Sequence, residues 1–177
     1  PLPLPRGVES IFIALSGGPD SMYLLHRLLP SWKKGSLALF AAHLDHGLRR
    51  ESAEEAAFLQ AYCANIGLPL AVERLNVKAE AAQRKEGIEE TARRLRHGFL
   101  RRQMEAFGAD CIALGHHMDD QVETMLLRLG RGSGLTGLCA MRTYRPPLWR
   151  PLLSMRKAEI LAALQAEAIP YCTDASN

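Results

Sequence analysis

Short apolar runs alternate with longer amphipathic stretches along this chain. Four of the runs have the length of a strand and little polar interruption, and they span residues 11–15, 37–44, 70–75 and 111–115. Near-continuous apolar strands separated by helices are typical of a parallel sheet that is covered on both faces. The pattern therefore predicts an α/β fold, doubly wound, with a mostly parallel five-stranded sheet and helices on both faces.

Helical segments separate the predicted strands, near residues 21–29, 53–66 and 88–107. The third segment carries an apolar stripe at roughly helical spacing, with its arginines largely off the stripe. After Gly130 the regular pattern breaks into a segment rich in glycine and proline. We expect this segment to be mostly irregular loop, followed by a last helix over roughly residues 156–167.

The composition suits one domain that spans residues 1–177. Hydrophobic residues make up 47% of the chain, which is enough for a real core, and the formal net charge is +3. No apolar run approaches the length of a membrane span, and the first residues lack the apolar core of a signal peptide. We therefore expect a cytoplasmic protein with no membrane partner.

The cysteines and arginines of the chain indicate which kinds of binding site to expect. The four cysteines are scattered and include no Cys-x-x-Cys pair, which argues against a zinc knuckle or a dithiol redox site. Arginine clusters at residues 49–50, 93–96 and 101–102. Arginine forks suit phosphate groups, so contact with nucleic acid is one interpretation of the clusters, and a merely solvated helix surface is the other.

A glycine-rich segment joins the first predicted strand to the first predicted helix. It consists of Ser16, Gly17, Gly18, Pro19, Asp20 and Ser21. Glycines let the backbone approach an anion, and the first N–H groups of a helix point at that anion. The segment therefore predicts a phosphate-binding loop. An ordinary strand-to-helix turn, with Ser16 or Asp20 as the helix cap, is the alternative.

The acidic residue of this loop separates it from a Walker A loop. A Walker A loop has a lysine that reaches the outer phosphates, whereas this loop has Pro19 and Asp20 at that point. A carboxylate is repelled by bare phosphate. Asp20 therefore makes sense beside Mg²⁺ or tied back to the loop's own amides.

Polar residues also follow the second predicted strand, where Asp45 and His46 stand at the carboxyl end of an apolar run. A carboxylate and an imidazole there are suited to binding Mg²⁺ or to orienting a nucleophile. The alternative is a polar turn in which Ser52 caps the next helix and Glu55 closes a capping box.

The fourth predicted strand leads into a second polar segment. It contains Gly115, His116, His117, Met118, Asp119 and Asp120. We predict that His116, His117 and Asp119 face a nucleotide or an acceptor, and a transition-metal site is the alternative. Asp120, with Glu123 three residues later, fits a capping box that opens the next helix.

The loop after that helix has two further candidates, Arg131 and Ser133. In one interpretation they form a second phosphate clamp. In the other, the loop is only the glycine-rich end of the helix.

Several of these segments together resemble one known family. The blocks are SGGPDS, DHGLRRES, GIEETARRLRHGFL, GHHMDDQVETMLLRLGRGSGLTGL, the RPLL of residues 150–153 and the DASN of residues 174–177. In this order they resemble the N-terminal catalytic domain of the bacterial tRNA(Ile)-lysidine synthetases, which are N-type ATP pyrophosphatases of the PP-loop superfamily. SGGxDS alone marks only the superfamily, and the HHxDDQxET and RGSGxxGL blocks are more selective. The resemblance implies an adenine nucleotide alpha hydrolase-like fold.

The resemblance implies ATP and Mg²⁺ as cofactors and a two-step ligation. ATP adenylates the 2-carbonyl oxygen of the wobble cytidine in an isoleucine tRNA with a CAU anticodon, and the amine of free L-lysine then displaces AMP. By motif position, ATP and pyrophosphate binding falls to Ser16, Gly17, Gly18, Pro19, Asp20, Ser21, Gly115, Arg131 and Ser133. Catalytic roles fall to Asp45, His46, His116 and Asp119, and the Mg²⁺ ligand is Asp20. The general base stays open among Asp45, His46, His116 and His117.

The resemblance also concerns partners. It implies tRNA and free lysine, and it leaves a homodimer open. Family members generally continue into C-terminal domains that help to hold the tRNA, so we expect those domains to be absent from this chain. The alternatives are another PP-loop ATP pyrophosphatase such as a tRNA thiolase, an amidotransferase-type synthetase that acts on a free metabolite, and a non-catalytic ATP-binding α/β module.

Overall fold

Strands and helices alternate along the chain in the computed structural model, which describes residues 2–45, 52–130 and 141–173. The strands are β1 (Ser10–Ala14), β2 (Ala38–Asp45), β3 (Leu70–Arg74), β4 (Cys111–Ala113), β5 (Tyr144–Arg145) and β6 (Leu148–Trp149). The helices are α1 (Pro19–Lys33), α2 (Ser52–Ile66), α3 (Val77–Arg84), α4 (Ile88–Phe107), α5 (Met118–Gly130) and α6 (Lys157–Ala166). None of the helices in these ranges is both long enough and apolar enough to cross a membrane.

The strands form one sheet in the order β3-β2-β1-β4-β6-β5. Neighbouring strands pair in parallel except for β5, which runs antiparallel to β6. This arrangement confirms the predicted α/β fold with a mostly parallel sheet. The described ranges contain six strands instead of the predicted five, because the segment predicted as irregular loop includes the β5–β6 hairpin. Each hairpin strand has only two residues, which is too short for a pattern of alternating polarity to show.

Helices cover both faces of the sheet, as predicted. Ile11 and Ile13 of β1 are fully buried in a core cluster that includes residues of α1, α2 and α6. Phe12, which lies between them, points to the other face and belongs to a second cluster with Phe99 of α4. This alternation follows from the two-residue period of a strand. Burial on both faces explains why β1 appears in the sequence as a continuous apolar run.

The helix predictions differ in accuracy. Helix α4 has the predicted bounds, and it ends where Gly108 adopts a left-handed conformation with φ of 64°. Helix α3 was not predicted, since it has eight residues and depends on Asn76, whose side chain accepts the backbone N–H of Ala79. Helix α5 begins at Met118, two residues before Asp120, the residue predicted to cap it.

The capping box predicted for α5 is wrong, because Asp120 lies inside the first turn. The backbone N–H of His117 donates to its carboxylate at 2.8 Å. An acidic residue near the third helical position commonly reaches back in this way to the residue before the helix. Asp120 thus stabilises the start of α5 from within the helix.

Candidate active site

The order of the strands places a crevice between β1 and β4. After β1 the chain adds β2 and β3 on one side, and it then returns to place β4 and β6 on the other side. In sheets of this kind, ligands bind at the carboxyl ends of the strands where the order reverses. Two predicted polar segments, residues 16–21 after β1 and residues 115–120 after β4, start at this point. The structure therefore brings these two segments together.

Hydrogen bonds between its serines shape the loop after β1. The backbone N–H of Ser16 donates to the hydroxyl of Ser21 at 3.2 Å, and the two hydroxyl oxygens lie 3.0 Å apart. The Ser21 hydroxyl also donates to the carbonyl oxygen of Gly18 at 3.0 Å. Gly17 has a φ of 89°, which L side chains rarely adopt. These hydrogen bonds hold the hydroxyls of Ser16 and Ser21 side by side at the start of α1.

The start of α1 has the geometry of an anion site. The first intrahelical bond is donated by Met22 to the carbonyl oxygen of Gly18 at 3.0 Å, so the N–H groups of Asp20 and Ser21 precede the hydrogen-bond ladder. The N-cap residue is Gly18, and no side chain makes a cap hydrogen bond there. The ordinary capped turn, with Ser16 or Asp20 as the cap, is therefore not what the structure shows. The phosphate ligand of the loop remains a prediction.

Gly115 lies directly against this loop. A Cβ atom at Gly115 would come within 3.1 Å of the backbone carbon of Asp20 and 3.2 Å of the backbone nitrogen of Ser21. Contacts that short are tighter than most contacts of a real Cβ atom, so a side chain at this position would push the backbone of the loop away by a few tenths of an ångström. Gly115 thus helps to set the position of the loop at residues 16–21, and its role in nucleotide binding remains a prediction.

Asp20 has a partner that the sequence did not reveal. The ammonium group of Lys157, at the start of α6, lies 2.7 Å from one carboxylate oxygen of Asp20 and 2.6 Å from the other. The carboxylate is thus tied to a lysine from a remote helix and not to the loop's own amides. The Nε2 atom of His117 lies 3.6 Å from the same carboxylate.

The predicted Mg²⁺ ligand can be tested against these contacts. Among the described residues, no group of three or more His, Cys, Asp or Glu side chains is arranged to hold a metal ion. Mg²⁺ in nucleotide sites is usually bound by one or two carboxylates together with substrate phosphates. Asp20 fits this kind of site, provided that its carboxylate is shared between the ion and Lys157. The Mg²⁺ site remains a prediction.

His116 is held in a neutral form. The Nε–H of Arg150 donates to its Nδ1 atom at 3.3 Å. The pKa of His116 is lowered from 6.5 to about 4, and burial is the largest cause. The carboxylate of Asp120 acts in the opposite direction, and the positive charges of Arg150 and Arg96 act in the same direction as burial. Because Nδ1 accepts a hydrogen bond, the proton of the neutral ring is assigned to Nε2. The geometry suits His116 to donating a hydrogen bond more than to acting as a general base.

His117 and Asp119 connect the loop after β4 to its neighbours. His117 is buried, and its ring nitrogens lie 3.5 to 3.7 Å from the carboxylates of Asp20, Asp119 and Asp120. The carboxylate of Asp119 accepts the backbone N–H of Lys157 at 2.8 Å and so stabilises the start of α6. The structure gives Asp119 this structural contact, and its catalytic role remains a prediction.

Asp45 is a buried carboxylate at the end of β2, with 3% of the residue exposed. One of its oxygens lies 3.3 Å from the Nε atom of Arg74, whose side chain is 69% exposed. His43, two residues earlier, is also buried, and its Nδ1 atom lies 2.9 Å from the carbonyl oxygen of Leu15. Within the described ranges, the Nε2 atom of His43 is buried without a hydrogen-bond partner.

His43 and Lys157 were not among the site residues predicted from the sequence. The signal for His43 was a histidine inside an apolar strand that ends beside the phosphate-binding loop. No local signal marked Lys157. Three predicted site residues, His46, Arg131 and Ser133, lie outside the described residues.

A groove of about 1220 Å³ opens beside His116, between α4, α5 and the β5–β6 hairpin. Its basic lining residues are Arg93, Arg96, Arg101, Arg128, Arg142, Arg145, Arg150 and His97. Three acidic residues also line it, and they are Glu89, Asp120 and Glu123. The excess of positive charge suits a phosphate backbone, because arginine binds phosphate through paired N–H groups.

The arginine clusters of the sequence divide between two environments. Arg94 pairs with Glu86 at 3.1 Å, and Arg102 pairs with Glu73 at 3.1 Å, so both lie in surface ion pairs. Their neighbours Arg93, Arg96 and Arg101 line the groove instead. The interpretation as solvated helix surface thus fits Arg94 and Arg102, which do not line the groove. The cluster at residues 49–50 lies outside the described residues.

Comparison with known proteins decides the family. A family model described as the PP-loop domain matches residues 3–177 of this chain. The chain belongs to this PP-loop family. Residues 16–21, which the sequence predicts to be a phosphate-binding loop, lie within the matched range.

Two curated relatives are similar to this chain over most of its length. The tRNA(Ile)-lysidine synthase of Pseudothermotoga lettingae is 42% identical over 169 residues, which are 96% of this chain and 38% of the relative. The bifunctional protein TilS/HprT of Listeria monocytogenes is 39% identical over 176 residues, which are 97% of this chain and 27% of the relative. These matches confirm the resemblance found in the motifs. The PP-loop chain spans well under half the length of both relatives.

A solved structure supports the fold. The U34-tRNA thiolase NcsA of Methanococcus maripaludis matches 96% of this chain and 60% of its own chain with a TM-score of 0.79 and 18% identity. At that identity the likeness shows the PP-loop fold and nothing about the substrate.

His116 gives this PP-loop domain a pH-dependent stability. Its pKa is about 4 in the folded chain and near 6.5 in the unfolded chain, so between these values the unfolded chain binds more protons. The free energy of unfolding should therefore be lower at pH 5 than at pH 7, and His116 should contribute at most roughly 2 kcal/mol to the difference. Urea titrations at both pH values measure it. A His116→Gln variant that shows the same pH difference as the original chain would contradict the assignment.

Proposed function

We propose that this PP-loop domain catalyses the ATP-dependent joining of lysine to the wobble cytidine of an isoleucine tRNA with a CAU anticodon. The reaction passes through an adenylated cytidine and yields lysidine, AMP and pyrophosphate. The main support is the position of the phosphate-binding loop, which lies at the switch point of the sheet beside a second polar segment that leads to an arginine-lined groove. The ordered motif blocks and the names of the two curated relatives support the choice of substrate.

The loop binds the ATP phosphates in this proposal. The hydroxyls of Ser16 and Ser21 and the first N–H groups of α1 hold the β and γ phosphates, which leave as pyrophosphate. Mg²⁺, when bound to the nucleotide beside Asp20, neutralises phosphate charge. His116 lines the groove, and we assign its Nε2–H as a donor to an oxygen on which negative charge develops.

The reaction consists of two covalent steps. The 2-carbonyl oxygen of cytidine bonds to the α-phosphorus of ATP while the bond to the bridging oxygen breaks, and pyrophosphate carries away that electron pair. The lysine amine then bonds to C2 and the C–O bond to AMP breaks. The ammonium of lysine must lose a proton before it attacks, and we assign this proton to Asp45, the buried carboxylate at the end of β2.

The groove provides the binding surface for both substrates. Its arginines suit the phosphates of an anticodon loop, and its three carboxylates suit the ammonium groups of lysine. A homodimer and a cytoplasmic location belong to the same proposal. Lysine incorporation tests the whole function: labelled lysine should enter the CAU transcript and should not enter a transcript whose wobble cytidine is replaced by uridine. Equal incorporation into both would contradict the assigned acceptor.

A tRNA thiolase is the runner-up, and the two buried cysteines Cys63 and Cys111 give it little support. Burial raises the pKa of the Cys63 thiol and of the Cys111 thiol to about 11. A thiol needs its deprotonated form to act as a nucleophile or metal ligand, so neither residue is suited to delivering sulfur. A non-catalytic ATP-binding module is a further alternative, and nucleotide release from ATP would separate it from the ligase.

The hydroxyl of Ser16 gives a direct test of the phosphate assignment. We expect Ser16→Ala to raise the dissociation constant for ATP by roughly tenfold, because a hydrogen bond to a charged group contributes about 1.5–3 kcal/mol. Isothermal titration calorimetry measures the constant. Ser36→Ala is a matched control. Ser36 lies just after the C-terminal end of α1, and its hydroxyl donates to the carbonyl oxygen of Ser31. If both variants bound ATP equally well, the phosphate assignment would be wrong.

A further inference from the structure

Lys157 supplies a positive charge to a loop that has none of its own. Residues 16–21 contain one acidic residue and no basic residue. The ammonium group of Lys157 reaches Asp20 across 137 positions of sequence and contacts both carboxylate oxygens, at 2.6 and 2.7 Å. With Lys157 in place, the formal charge of the loop and its partner is zero instead of −1. A neutral loop repels a polyphosphate less than an anionic one.

The position of Lys157 is set by the second polar segment of the site. The backbone N–H of Lys157 donates to the carboxylate of Asp119 at 2.8 Å. Two residues earlier in the chain, the carbonyl oxygen of Met155 accepts the backbone N–H of Met118 at 2.8 Å. The start of α6 is thus joined to the loop after β4, and the side chain of Lys157 extends from this fixed point toward α1.

The ammonium group of Lys157 has more hydrogen-bond donors than its pair with Asp20 uses. It carries three N–H donors, and the two contacts with the carboxylate use two of them. The side chain of Lys157 is 33% exposed and that of Asp20 is 25% exposed, so the pair lies at the surface of the site and is not sealed in the core. A lysine ammonium is a compact charge on a flexible stem, which suits it to follow a phosphate oxygen.

We propose that Lys157 is a catalytic residue that binds the departing pyrophosphate. In the proposal, α6 provides the lysine that a Walker A loop carries within itself, and Lys157 contacts an outer phosphate oxygen of ATP while it neutralises Asp20. This inference rests on the proposed function only in requiring that the loop binds ATP. It adds a third phosphate contact to the serine hydroxyls and the helix N–H groups.

The test compares nucleotides that differ in their phosphates. In the full 177-residue chain, Lys157→Met should weaken binding of ATP and of inorganic pyrophosphate by roughly tenfold or more, and it should change AMP binding by less than about twofold. Lys157→Arg should recover part of the loss, because it keeps the charge. The control is Lys78→Met, which removes an exposed lysine of α3 that is distant in sequence from both Asp20 and Lys157. Equal losses for ATP and AMP, or no loss, would overturn the proposal.

A second pair of variants measures the effect of Lys157 on ATP binding when its ion pair with Asp20 is absent. Asp20→Asn leaves Lys157 without a carboxylate to neutralise, so the only remaining effect of Lys157 would be on the phosphates. We expect Asp20→Asn with Lys157→Met to bind ATP roughly fivefold or more weakly than Asp20→Asn alone. Equal affinities would show that Lys157 only neutralises Asp20 and would overturn the proposal. If the original chain bound no ATP at all, the proposed function itself would fail, and that outcome is distinct from the others.

Discussion

Replacing Asp45 with asparagine should abolish turnover and leave ATP binding in place. Asparagine keeps the size of the side chain but cannot take a proton from the lysine ammonium. Loss of a positioned base costs about 100- to 10,000-fold in rate, so AMP formation should fall by roughly a hundredfold or more. Asp45 is buried at the end of β2, and a neutral substitute of the same shape avoids leaving an uncompensated charge there. Rates of AMP release under saturating substrates measure the effect.

Arg74 provides the control for this variant. Its guanidinium lies 3.3 Å from Asp45, but its side chain is largely exposed, and exposed ion pairs contribute little. Arg74→Gln should therefore keep a rate within about threefold of the original chain. If Asp45→Asn released AMP as fast as the original chain, Asp45 would have no part in the mechanism. If Arg74→Gln were equally inactive, the ion pair and not the base would be the cause.

Replacing Gly115 with valine should remove most of the affinity for ATP. The first added carbon would lie 3.1 Å from the backbone of Asp20, so the phosphate-binding loop would have to move. Overpacking a fixed site costs about 1–3 kcal/mol, which corresponds to roughly a 5- to 150-fold loss of affinity if the strain falls on the loop. Titration with ATP measures the dissociation constant, and thermal unfolding reports whether the domain still folds.

Gly98→Ala is the matched control for this change. Gly98 lies inside α4, where an added carbon would meet only the flexible end of Arg102, at 3.5 Å. Alanine is favoured over glycine in a helix interior by about 1 kcal/mol, so this variant should be as stable as the original chain or more stable. ATP affinity close to that of the original chain in Gly115→Val would show that the close approach of the two segments is not needed for binding.

The sequence predicted those parts of the fold that local patterns encode. Residues 11–14 of β1 are apolar because the strand is buried on both faces, and α4 has an apolar stripe and ends before Gly108. The glycine-rich turn after β1 could be located because strand, glycines and helix follow one another directly. Motif blocks then identified the family, which the comparisons confirmed.

The parts that were missed depend on contacts between distant segments. The hairpin strands β5 and β6 have two residues each, and β6 is held in the sheet by pairing with β4. Lys157 reaches Asp20 from 137 positions away, so no local pattern could reveal the pair. Asp119 was predicted as a catalytic group, and its contact with the start of α6 likewise depends on tertiary structure.

The chemistry of a histidine is also set by its surroundings. From sequence, His116 was a candidate base, because an isolated imidazole titrates near neutral pH. In the fold, burial and two arginines lower its pKa to about 4, and Arg150 occupies its Nδ1 atom. The residue type and its position in the motif made His116 a candidate site residue. Only the packing around it indicates that it is suited to donate a hydrogen bond.

The nucleotide released from α-labelled ATP tests the central claim most directly. The chain is incubated with Mg²⁺, lysine and a transcript of the CAU-anticodon isoleucine tRNA, and the labelled products are separated. A ligase that adenylates the cytidine releases labelled AMP, and it does so only when both tRNA and lysine are present. Release of labelled ADP would show cleavage at the outer phosphate and would contradict the account of the loop.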